Sequence, residues 1–264
     1  MTKSKILLSL LLGTGIALTG CSNSADTEKK DETVEKTDDT AKTEDASAKS
    51  EGVMTYKEYV DAPLDSEVTV EAYVQAKQSW WEDNGQGKAT LYTQDPDGAY
   101  FVYNANMSEE DYNKLVDGQK VKITGYKSEW SGETEITDAT VEIEDGNWIA
   151  PLTDVTDILA SDELIDHQNQ HVTFKDMTVE EIGENGETFL YNYDGSGDEG
   201  DDLYFKVSKD GNDYTFTVES YLTGADTDVY KQVKKLKAGD TVDMEGYLYW
   251  YEGANPHITV VTVK

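Results

Sequence analysis

"KLVDGQKVKITGY" (residues 114–126) and "KLKAGDTVDMEGY" (residues 235–247) align without gaps at an offset of 121 residues. An internal repeat of this kind marks a duplicated structural unit. In the first copy Val121, Ile123 and Gly125 face one way along an extended segment while Lys120, Lys122 and Thr124 face the other, the period-two pattern of a half-buried strand. Downstream, "ITDATV" from Ile136 matches "ITVVTV" from Ile258 after a one-residue insertion. Upstream, "VTVEAYV" from Val68 matches "VTFKDMTV" from Val172 at an offset of only 104, so the second copy holds 17 more residues in between. They fall in the loop-like stretch 183–202.

Each copy reads as strands with one short helix. Val68, Val70, Ala72 and Val74 alternate with Thr69, Glu71 and Tyr73, which predicts a strand. Two further strands flank Asp95-Pro96-Asp97-Gly98, whose proline and glycine supply turn chemistry. Ser108 followed by Glu109, Glu110 and Asp111 predicts a capped helix with Tyr112, Leu115 and Val116 as its apolar stripe, ended by Gly118. A last hairpin turns near Ser131-Gly132. The second copy predicts a helix over 227–237 and closing strands over 241–250 and 257–263. Three strands, a helix, then two strands is similar to the order of the OB-fold, a five-stranded barrel. The expected fold is mainly β: two tandem five-stranded OB barrels, residues 53–150 and 151–264, each with a short helix between strands three and four.

Residues 1–20 read as a signal peptide, with Lys3 and Lys5 ahead of an apolar core too short to span a bilayer. Leu18-Thr19-Gly20-Cys21 resembles the lipobox of bacterial lipoproteins, and that resemblance implies lipid attachment at Cys21, the chain's single cysteine, and a membrane-anchored, extracytoplasmic location. Residues 21–52 mix acids and lysines with almost no apolar residue, so they read as a disordered acidic tether. Residues 65–140, including "QSWWEDNGQGKATLYTQDPDGAYFVYN" (residues 78–104), resemble a domain of exported OB-fold lipoproteins from Gram-positive gut bacteria. That resemblance bears on fold and location only.

The chain has 54 acids against 22 basic residues, every one of them lysine, for a net charge of −32. Polyphosphate binding relies on dense positive charge, so nucleic acid is a poor candidate partner on this reading, even with Lys77, Lys88, Lys120, Lys122 and Lys127 on or beside one face. OB barrels bind ligands across strands two and three, framed by two loops. Trp80, Trp81, Tyr126 and Trp130 in the first copy, and Tyr247, Tyr249, Trp250 and Tyr251 in the second, fall in or beside such loops. Exposed aromatic clusters mark binding surfaces, so the leading expectation is a non-enzymatic binding protein of the cell envelope that takes a saccharide, cell-wall fragment or protein ligand on these rings. The alternative is a structural or assembly subunit of an envelope complex with the rings buried at an interface, and a weaker one is a nucleic-acid-binding OB-fold protein.

Other chemistry is thinly signalled. Asp194, Ser196 and Asp198 have the 1, 3, 5 spacing of a calcium loop, but Glu199 stands where the turn wants glycine. His167 and His171 are four apart yet lack a third ligand nearby, and His257 reads as structural. No nucleophile motif, phosphate loop or resident cofactor is indicated.

Overall fold

Gly125 and Gly246, the matching glycines of the repeat, lie where one strand crosses another too closely for any side chain. A Cβ at Gly125 would meet the Thr137 carbonyl oxygen at 2.7 Å, and one at Gly246 would meet the His257 carbonyl oxygen at 2.3 Å. These distances come from a computed structural model, which describes residues 46–264. The expected signal peptide, Cys21 and most of the expected tether lie outside the described residues. The other repeated glycines, Gly118 and Gly239, have φ of +82° and +88°, a conformation that glycine adopts without steric cost.

The first barrel is built from β1 (Glu67–Lys77), β2 (Trp81–Asp83), β3 (Gln86–Gln94), β4 (Ala99–Asn106), β5 (Gln119–Trp130) and β6 (Glu133–Asn147). The sheet runs β1-β5-β6-β4-β3-β2, and an additional β1–β3 pairing closes five of these strands into a ring. All pairings in that ring are antiparallel except β4 with β6. Helix α1 (Tyr56–Asp61) precedes the barrel, and α2 (Glu109–Lys114) sits between its third and fourth ring strands. This is the OB topology. Val70, Ala72, Val74, Leu91, Val102, Val121, Ile123 and Ile136 fill the core from alternating positions and are fully buried.

The second barrel repeats the ring with β8 (His171–Glu180), β10 (Leu203–Lys209), β11 (Asn212–Val218), α3 (Asp228–Val233), β12 (Thr241–Tyr247) and β13 (His257–Val263). It gains β7 (Thr153–Asp154) beside β8, and its β9 (Phe189–Tyr191) lies beside β10 as β2 lies beside β3. The 17-residue excess lies around β9, and the rest of 183–202 is mostly turn and loop. Leu115 and Leu236, and Val121 and Val242, are equivalent in the repeat and buried in both barrels.

Several details differ from the expectation. Helix α2 stops at Lys114, before Gly118, because Leu115 already adopts an extended backbone and turns into the core. Helix α1 was not expected; Thr55 and Glu58 cap it reciprocally. At the end of the expected tether, Lys49 and Ser50 bond to Glu71 and Asp95 of the barrel, so the chain is seated there before residue 53.

Candidate functional site

Along β3 and β4, Leu91 and Val102 point into the first barrel, so their neighbours Tyr92 and Phe101 point out, paired across the two strands. That outward surface is the one OB barrels use for ligands. In this chain it is covered by the second barrel. Tyr92 and Phe101 are buried, with the Tyr247 ring 4.6 Å from Tyr92 and the Tyr249 ring 5.2 Å from Phe101. Tyr249 stacks in turn on His257 at 4.4 Å, and Tyr247 on His171 at 5.0 Å. Polar groups fix the angle of contact. The Tyr92 hydroxyl lies 2.6 Å from His257 Nδ1, Tyr247 donates to the Gln75 carbonyl at 2.9 Å, and the His171 amide donates to Gln94 at 3.0 Å.

A second contact is polar. Glu133, at the start of β6, is fully buried and accepts from Asn169 Nδ2 at 2.5 Å and from the Trp250 amide at 2.8 Å. Gln168 donates to the Gly132 carbonyl and accepts from the Thr134 amide, while the Glu252 amide donates to Ser131. The tip of one barrel's last hairpin is therefore gripped by the other. On the opposite side Glu219 accepts from the Leu222 amide and from Gln78 Nε2, and the Ser79 amide donates to Tyr221. Burial pushes Glu133 up to about 8, and burial with the nearby Asp202 charge pushes Glu219 up to about 7. Burial also drives His257 down to about 3, leaving it neutral.

The aromatic residues expected to bind ligand thus divide. Tyr247 is buried; Tyr249 and Trp250 are half-buried, Tyr249 in the junction and Trp250 against the second core. Trp80 is half-buried over Gly87, and its indole donates to the Met107 carbonyl at 3.0 Å. Trp81, Tyr126, Trp130 and Tyr251 remain exposed. The two adjacent tryptophans separate because Trp81 belongs to β2, which forms a tight hairpin with β3 through Asn84 and Gly85.

The lysines singled out for a basic face mostly serve the fold. Lys77 binds the Tyr112 and Leu115 carbonyls at the end of α2, and Lys127 binds three carbonyls at the end of α1. Lys120 pairs with Glu71 and Glu144. In the acidic insertion, Asp194 accepts from the Ser196 amide and the Asp198 amide donates to Asp201. Among the described residues no group of three or more His, Cys, Asp or Glu is arranged to hold a metal ion. His167 bonds Gln170 while His171 stacks on Tyr247, so the two histidines do not converge.

No family model and no curated protein matches the chain. Solved structures similar to it include a murine DNA-binding protein bound to double-stranded DNA, at 11% identity and TM-score 0.35, over 74% of this chain and 94% of that one. A replication protein A heterotrimer bound to single-stranded DNA matches at 13% identity and TM-score 0.33, over 77% and 50%. An Ifi202 HINa domain in complex with double-stranded DNA matches at 13% identity and TM-score 0.33, over 75% and 98%. The likeness is one of fold. All three of these neighbours hold DNA, which stands against the expectation that nucleic acid is a poor candidate partner. The leading expectation is corrected too: a cell-envelope protein holding an extracellular saccharide, wall-fragment or protein ligand on aromatic loops. Within the chain, Tyr247 is enclosed and Tyr249 and Trp250 are half-covered.

Proposed function

We propose that residues 46–264 act as a rigid two-barrel assembly module whose aromatic residues join the barrels. The observation that carries this reading is the covering of the Tyr92–Phe101 face by Tyr247 and Tyr249. A ligand on that face would have to displace a well-packed neighbour. In this reading the module performs no chemistry on a substrate. Calorimetric unfolding of the soluble part should give one transition for both barrels; two separable transitions would refute the reading.

A second reading has its own observation. On the equivalent face of the second barrel, Tyr204 and Lys206 alternate outward on β10 opposite Thr217 and Thr215, with Tyr251 exposed nearby. A ring and a lysine on the ligand face of an OB barrel are the elements that stack and neutralise a single strand. Fluorescence anisotropy with a labelled oligothymidine at low salt tests it. Binding that weakens with salt and with Tyr204→Ala supports nucleic acid; flat titrations remove it.

We also propose membrane attachment through Cys21, supported by the lipobox resemblance. Cys21→Ala should move the protein from the membrane to the soluble fraction.

A further inference from the structure

We propose that Lys49 and Asp95 become joined by an intramolecular isopeptide bond. Lys49 Nζ lies 2.5 Å from Asp95 Oδ2, and their side chains are 11% and 0% exposed. The amine is aimed by a second hydrogen bond, to the Glu71 carbonyl at 2.7 Å. The carboxyl is prepared on both oxygens. Oδ1 accepts from the Asp97 and Gly98 amides at 2.7 and 2.9 Å, and Oδ2 accepts from the Tyr100 hydroxyl at 2.8 Å. Two backbone N–H groups on one oxygen are the arrangement that stabilises a tetrahedral oxyanion. Tyr56 and Tyr59 pack their rings on Tyr100, 5.6 and 4.9 Å away, and shield this end of the barrel from water.

Beside the pair stands Glu71, itself 1% exposed. Its Oε2 receives Lys120 Nζ at 3.1 Å and the Ser50 amide at 3.3 Å, while Oε1 is buried with no partner among the described residues. That free oxygen suits a proton relay. In the step, the ammonium passes one proton to Oδ2 across the existing hydrogen bond. The neutral nitrogen then attacks Asp95 Cγ, and charge collects on Oδ1 under the two amides. Glu71 takes a second proton from nitrogen and returns it to Oδ2. The Cγ–Oδ2 bond breaks and water leaves, so an ammonium and a carboxylate become one amide and one water with no oxidant or reductant. Holding the two groups in contact replaces a bimolecular condensation by an internal one.

The test is peptide mapping of the full-length denatured protein with tandem mass spectrometry. The expected product is a branched peptide joining the segments around Lys49 and Asp95, one water lighter than its parts. Lys49→Arg, which keeps the ion pair, should give linear peptides of full mass. Linear peptides in the unsubstituted protein would overturn the proposal and leave a buried ion pair. A water loss that persists in Lys49→Arg would overturn it as well, and place the loss in a succinimide at Asp97-Gly98. For the relay, Glu71→Gln should fold by circular dichroism yet condense far more slowly; condensation at the original rate would remove Glu71 from the step.

Discussion

The Tyr92 hydroxyl and His257 Nδ1 meet 2.6 Å apart across the junction, both residues buried, one on the second ring strand of the first barrel and the other opening the last strand of the second. His257 is held neutral by burial, so the bond is between uncharged groups in a water-poor setting. Tyr92→Phe removes the hydroxyl and leaves the imidazole nitrogen unpaired. It should lower the unfolding free energy by about 1–3 kcal/mol, measured by urea denaturation. An unchanged midpoint would mean the junction is not closed in solution.

Stability should peak in mildly acidic solution. Glu133 is raised to about 8, so its stabilising contribution is whole below its ordinary value of 4.5 and is lost as pH rises through 8. Glu219, raised to about 7, acts in the same direction. His257, lowered to about 3, does the opposite: its contribution is whole above 6.5 and is lost as pH falls through 3. Melting temperatures taken from pH 4 to 9 should therefore fall on the alkaline side, and Glu133→Gln should flatten that fall while leaving the acid side intact.

The tryptophans should separate by their surroundings. Trp130 is 61% exposed at a hairpin tip, and Trp130→Ala should change stability by no more than about 0.5 kcal/mol. Trp250 packs against the second core and its amide donates to Glu133; Trp250→Ala should cost about 2–3 kcal/mol. Acrylamide should quench emission from Trp81 and Trp130 and spare Trp250, which single-tryptophan variants would read.

Gly246→Ala should be among the most damaging one-carbon changes in the protein. The added methyl group would meet the backbone of His257, which cannot swing aside as a side chain can. A loss greater than about 1 kcal/mol is expected by thermal unfolding. Gly211→Ala provides the contrast, since its Cβ would meet nothing within 4 Å and only its positive φ resists the change.

Much of the fold could be read from the chain because the decisive signals are local. The alternation from Val68 to Val74, the Ser108 cap and the repeated glycines each reflect a neighbour within a few residues or a strand crossing. Helix α1 was missed although Thr55 and Glu58 spell a capping box, because Tyr59 is its only buried residue and it has no apolar stripe. Strand β2 was missed although Asn84-Gly85 is a strong hairpin signal. The junction was harder. Tyr126 and Tyr247 are equivalent in the repeat, yet one is 46% exposed and the other 4%. What separates them is which face the other barrel covers, and no periodicity within a single barrel encodes that. Glu133 was one acid among 54; its burial becomes visible only when Asn169 and Trp250 arrive from a different part of the chain.

The parallel seams of the two rings differ in a way that bears on how the chain is made. In the first barrel β4 and β6 meet at three residue pairs, whereas β11 and β13 meet at one, Thr217 with His257. The first ring can thus finish from its own strands. The second finishes at the residue whose imidazole faces Tyr92. A chain emerging from the ribosome folds its earlier domain first, so the earlier barrel serves as the mould against which the later one is cast. A circular permutant that presents residues 151–264 ahead of 53–150 should reach the same native state, but more slowly and with more aggregation along the way.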